Sequence, residues 1–70
     1  MKKSVISLDC GLRQLMQARE ELGAVSGVVA AEVLPGKSAL RVWRGDELAE
    51  GALMDALSRC GLTPGQIRMR

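Results

Sequence analysis

The spacing of apolar residues changes repeatedly along the chain, and each change marks a predicted element. Residues 3–8 are rich in β-formers without helical spacing and stop at Asp9-Cys10-Gly11, which predicts a first strand closed by a turn. From Gly11 or Leu12 the apolar positions become Leu12, Leu15, Met16, Arg19 through its stem, and Leu22, with Arg13, Gln14, Gln17, Glu20 and Glu21 mostly outward. This three-and-four spacing predicts an amphipathic helix with Asp9 as N-cap and Gly23 as its stop, followed by a small-residue connection over residues 24–27.

Residues 28–34 form a β-branched run that ends at Pro35-Gly36, and residues 38–44 follow with Ala39, Arg41 and Trp43 alternating against Leu40 and Val42. A Pro-Gly pair between two such runs predicts a hairpin with a loop longer than two residues. Gly45-Asp46 then predicts the end of the strand and the cap of a second helix, whose inner face is Leu48, Ala52 or Leu53, Ala56, Leu57 and Cys60, with Gly61 closing it. Thr63-Pro64-Gly65 reads as a turn and residues 66–70 as a brief last strand with Ile67 and Met69 on one face. The order β-α-β-β-α-β, without linker, repeat or low-complexity segment, predicts an α+β, ferredoxin-like domain over residues 1–70, a four-stranded antiparallel sheet with both helices on one face.

Seventy residues bury only roughly 60% of the unfolded surface, which allows one small core and little spare stability. Truncation of Leu15, Val28 or Leu57 to alanine is expected to unfold it. The 47% hydrophobic fraction is that of a folded domain, and with Trp43 as the sole aromatic the core must be aliphatic. The net charge of +2 comes from mixed signs with a basic excess at the ends, a solvated surface rather than a nucleic-acid footprint. No apolar run approaches the roughly 20 residues of a membrane span, and residues 1–8 lack a signal-peptide pattern. The expectation is a cytoplasmic protein that contacts neither membrane nor nucleic acid.

Histidine is absent, which removes Ser-His-Asp and Cys-His catalysis. The acids Asp46, Glu47, Glu50 and Asp55 are spread around a helix rather than poised as a carboxylate pair, and the Gly23–Gly27 stretch has no lysine for a phosphate loop. No enzymatic activity is expected. Met16 and Met69 fit core stripes and Met54 an outer position, so they fill space rather than bind copper. The chemistry that remains is thiol chemistry. In a reducing compartment, Cys10 and Cys60 read as free thiols or soft-metal ligands before they read as a disulfide, and burial as small hydrophobes is the plain alternative.

The segment Leu8-Asp9-Cys10-Gly11-Leu12-Arg13 resembles the heavy-metal-associated domains, the copper chaperones and mercury-binding modules, which carry M-x-C-x-x-C between first strand and first helix. Gly27-Val28 with Val33 is similar to that family's second strand, Leu40 to Val42 to its third, and Cys60-Gly61-Leu62 to the segment after its second helix. The resemblance implies a small soluble domain that binds or traffics a soft ion such as Cu(I), with a metal transporter or another protein as partner. In the family's motif two thiolates at a helix N-terminus hold one soft ion in nearly linear coordination. Here Leu8 stands for the methionine and Arg13 for the second cysteine, so Cys10 is the ligand carried over.

Three readings of Cys10 follow. It pairs with Cys60 on one ion, because the loop after the second helix packs near the loop before the first, with Leu8, Arg13 and Leu62 as neighbours. It is a low-pKa thiol, favoured by Arg13 and the helix N-terminus, that binds an ion weakly, shares one across a homodimer, or senses oxidants. Or the ligands are lost and the fold serves as a protein-interaction or self-association module, for which Trp43, next to Arg41 and Arg44 on the open sheet face, is the expected surface.

Overall fold

The computed structural model describes residues 1–34 and 36–69. The elements are β1 (Lys2–Leu8), α1 (Leu12–Gly23), β2 (Val28–Val33), β3 (Ala39–Arg44), α2 (Glu50–Arg59), a 3-10 turn (Pro64–Gln66) and β4 (Ile67–Met69). The strands form one antiparallel sheet in the order β2-β3-β1-β4. This is the expected ferredoxin-like arrangement. Pro35 of the Pro35-Gly36 turn and Arg70 at the end of the last predicted strand lie outside the described residues.

Two periodicities build the core. Alternation turns Ser4, Ile6 and Leu8 of β1 and Leu40, Val42 and Arg44 of β3 toward the helices, while Leu15, Ala18 and Leu22 of α1 and Leu53, Ala56 and Leu57 of α2 present one stripe each. The apolar members of these sets, with Leu62, form a single buried cluster. Burial of each large aliphatic side chain contributes about 1.5–3 kcal/mol. Gly61, at φ +84°, takes the left-handed conformation that ends α2, and Gly27, at φ +97°, does the same at the entry to β2.

The structure differs from the pattern-based expectation in several places, each with a physical cause. Asp9 is not the N-cap of α1: Gly11 occupies that position and no side chain caps the helix. The buried stripe of α1 runs through Leu15, Ala18 and Leu22, so Leu12 and Met16 lie round its flank, 66% and 53% exposed, and Met16 is not a core residue. Arg19 lies exposed near β2, where its Nε donates to the Ala31 carbonyl at 3.1 Å.

α2 begins at Glu50 behind Ala49, so Asp46 does not cap it. Residues 45–48 instead fold into a turn, with Leu48 N–H donating to the Gly45 carbonyl at 3.1 Å, and Leu48 lies against Gly27. The Asp46 carboxylate is engaged by the terminal ammonium of Met1 at 2.9 Å, which holds it below its ordinary pKa.

Arg44 does not flank Trp43 on the open face. It shares the inward parity of Leu40 and Val42 and is 7% exposed. Its guanidinium donates from Nε to Ser4 Oγ at 3.0 Å and from Nη1 to the Leu48 carbonyl, with Glu50 at 3.7 Å. A buried cation is tolerated only with such partners.

Candidate metal centre

Cys10 sits where β1 hands over to α1, and backbone and side-chain hydrogen bonds clamp this loop from two sides. From the β3 side, Leu8 N–H donates to the Ser38 carbonyl at 2.8 Å, and Ser38 Oγ donates to the carbonyls of Leu8 at 2.5 Å and Cys10 at 3.2 Å. From the β4 side, Asp9 N–H donates to the Gln66 carbonyl at 2.8 Å, and Gln66 Nε2 returns a bond to the Asp9 carbonyl at 2.9 Å. Leu8 beneath the loop is buried. The half-buried Cys10 is therefore held on a fixed backbone at the head of α1. The first turn of that helix carries no acid, so its unpaired N–H groups stay available to an anion such as a thiolate.

Burial pushes the Cys10 thiol up, the Asp9 carboxylate adds to the rise, and a hydrogen bond with Ser38 offsets part of it. This corrects the expectation of a low-pKa thiol: Arg13 is exposed on the first turn and is not among the charges that act on the sulfur. No charge beside the sulfur activates it as a nucleophile, so the redox-sensor reading gains no support from this site.

Cys60 caps the C-terminus of α2 at the same end of the molecule. Gln14 Nε2, on the first turns of α1, donates to the Cys60 carbonyl at 3.0 Å, so the two cysteine-bearing segments are joined through one side chain. The Cys60 thiol donates back to the Ala56 carbonyl at 3.5 Å, is half-buried rather than fully inside, and is pushed up by burial and Glu21 against the opposing effect of Arg59. Leu62, its neighbour, is buried and its N–H donates to the Leu57 carbonyl at 3.3 Å. Among the described residues no group of three or more Cys, Asp or Glu side chains converges as an ion cage. Any soft-metal chemistry rests on the thiols.

Both thiols have folded-state pKa values above the ordinary 9.0. Between that value and the raised ones the folded state retains protons that the unfolded chain has lost, so the stability the thiols supply is intact below about pH 9 and declines as pH rises through the folded values. Urea unfolding should therefore show a steeper alkaline loss for the parent than for Cys10→Ser/Cys60→Ser. Parallel curves would contradict the assignment.

Two residues that fix the loop were not singled out in the sequence, although one left a signal. Thr63-Pro64-Gly65-Gln66 has the spacing of a capping box, and Gln66 Oε1 accepts from Thr63 N–H at 3.0 Å, which leaves Nε2 free for Asp9. Ser38 left none. On the opposite face of the sheet from the helices, Trp43 is half-buried with Lys3 Nζ 5.7 Å from the ring centroid, and Arg41 pairs with Glu32 at 2.8 Å. No described helix is long and apolar enough to cross a membrane.

No protein-family model matches the sequence, and no curated protein does. Two solved structures are similar, both solution structures of the yeast copper transporter domain Ccc2A in its apo and Cu(I)-loaded states. One superposes with a TM-score of 0.74 at 12% identity over 90% of each chain. The other gives 0.73 at 11% identity over 100% of this chain and 93% of that one. At such identities the likeness is one of fold: the chain shares the ferredoxin-like architecture of those solved domains.

Proposed function

We propose that this domain is a soft-metal carrier of the heavy-metal-associated type, with Cys10 as the anchoring ligand for Cu(I). The observation that carries the reading is the placement of Cys10, held by Ser38 and Gln66 at the mouth of α1, in a fold shared with a copper-transporter domain. The thiolate is a soft donor suited to Cu(I), and the open N-terminus of α1 favours its charge once the ion displaces the proton. Arg13 occupies the position of the family's second cysteine, and Cys60 keeps its thiol on the Ala56 carbonyl. The domain therefore holds the ion through one strong ligand of its own, and further donors come from Cys60 after rearrangement or from a partner. Exposed Leu12 and Met16 on the first turns of α1, the helix that follows Cys10, offer an apolar contact for a protein that delivers or receives the ion.

Anaerobic competition for Cu(I) against a chelator tests this. The reduced parent should withdraw Cu(I), Cys10→Ser should lose that ability, and Cys60→Ser should retain most of it. Equal loss in both variants would replace the anchored site with a two-thiolate one. Full competition by Cys10→Ser would overturn the proposal and leave an interaction module.

A further inference from the structure

The outer face of the sheet is one-sided in charge, whereas the helical side is mixed, with Arg13, Arg19 and Arg59 among its acids. The helical side carries the acids Glu20, Glu21, Glu50 and Asp55, whereas the outward side chains of the sheet include Lys3, Arg41 and Arg68 against one acid, Glu32, already paired with Arg41 at 2.8 Å. At the apical end of this face lies a half-open groove of about 570 Å³, with Val5 and Ala39 on its floor, Leu34 and Lys37 on one wall and Arg68 on the other. That volume lies within the usual range of ligand clefts. Asp9 also lines it, leaving two cations against one acid. Among the described residues neither Lys37 nor Arg68 has a carboxylate within ion-pair distance. The Ser38 hydroxyl and one Gln66 Nε2 N–H are committed to the Cys10 loop, so Lys37 and Arg68 supply the charged donors the groove offers a ligand, beside the Ser7 hydroxyl.

From this arrangement we infer that the open sheet face docks an extended acidic segment of a partner protein, with its carboxylates between Lys37 and Arg68 and its backbone across Val5 and Ala39. Charge decides the occupant. A second copy meeting it sheet face to sheet face would bring an equally basic surface and be repelled, and the acids of its helical side are interspersed with Arg13, Arg19 and Arg59. A single-stranded nucleic acid needs aromatic platforms, and the one ring on this face, Trp43, has Lys3 over it. An acidic peptide satisfies the cations, requires no stacking surface and lies flat on an apolar floor. The groove borders the back of the Cys10 loop, since Leu8, Asp9, Ser38 and Gln66 also line it, but its cations Lys37 and Arg68 make no contact with Cys10 in the hydrogen bonds that hold that loop.

The test is fluorescence anisotropy of a labelled oligoglutamate peptide against the reduced full chain at low ionic strength. The parent should bind, with affinity falling as salt shortens the screening length below about 8 Å. Lys37→Glu/Arg68→Glu should weaken binding by about tenfold or more, while Arg13→Glu/Arg59→Glu, an equal charge change on the helical side, should weaken it less than about twofold. All four positions are exposed, and far-UV circular dichroism checks that both variants stay folded. Equal losses in the two variants, absence of binding by the parent, tighter binding of an oligothymidylate of matched charge with quenching of Trp43, or parent self-association abolished by the sheet-face variant would each overturn the inference.

Discussion

Arg13→Cys is expected to raise Cu(I) affinity by at least about a hundredfold, beyond what changes to a metal's outer shell usually produce. Cys10 lies just before the N-cap Gly11 and position 13 is in the first turn of α1, so a thiol there joins Cys10 at the same helix N-terminus. The exposed Arg13 guanidinium is not among the charges that act on the Cys10 sulfur, so the gain comes from the second thiolate. Arg13 is exposed, so the fold loses nothing. Arg13→Ser is the control: it removes the guanidinium without adding a thiolate and should bind like the parent. Chelator competition across parent, Arg13→Ser and Arg13→Cys reads the difference. Parent-like affinity in Arg13→Cys would mean that the loop does not present Cys10 to an ion at the head of α1.

The largest effect on stability should come from Leu57→Ala, a loss of about 2–5 kcal/mol. Leu57 is completely buried between α2 and the sheet. Its carbonyl also receives the N–H groups of Cys60 and Leu62, so its packing positions the turn that carries Cys60. Domains of this size fall toward the lower end of the usual stability range of about 5–15 kcal/mol. Thermal unfolding should therefore lose its cooperative transition or shift down by about 4–8 °C for each kcal/mol. The sequence treats Leu15, Val28 and Leu57 alike, but Val28 is only half-buried on an edge strand, and Val28→Ala should cost clearly less. A loss in Leu57→Ala no greater than that in Val28→Ala would contradict this view of the core.

Element order and sheet topology were legible because they depend on residues that repeat: the alternation of Ile6 with Leu8 and of Leu40 with Val42, the stripes through Leu15 and Leu57, and the stop at Gly61. Helix starts were not, because each depended on a competition that local sequence does not encode. Asp46 has a stronger partner in the terminal ammonium of Met1, far away in the chain, than in the first turn of a helix. Arg44 could have been placed from parity alone; its charge argued for the surface, and only the convergence of Ser4 and the Leu48 carbonyl makes its burial tolerable.

The candidate site shows the same division. That a thiol stands at the strand-to-helix junction is plain from Asp9-Cys10-Gly11. That the thiol is pushed up rather than down depends on how deeply it packs and on Asp9, against which the exposed Arg13 has no leverage. The hydrogen bonds that fix the loop come from Ser38 and Gln66, 28 and 57 residues distant from their partners Cys10 and Asp9. Spacing within a motif does not reveal such contacts.

The most direct test of Cys10 as the anchor is the ¹⁵N–¹H spectrum of the reduced, uniformly labelled protein before and after one equivalent of Cu(I) under anaerobic conditions. The account predicts that the amides of residues 9–13 move most, that Ser38 and Gln66 follow through their bonds to the loop, and that Cys10→Ser abolishes the pattern. Unchanged loop amides, or shifts centred on the exposed methionines and preserved in Cys10→Ser, would contradict it.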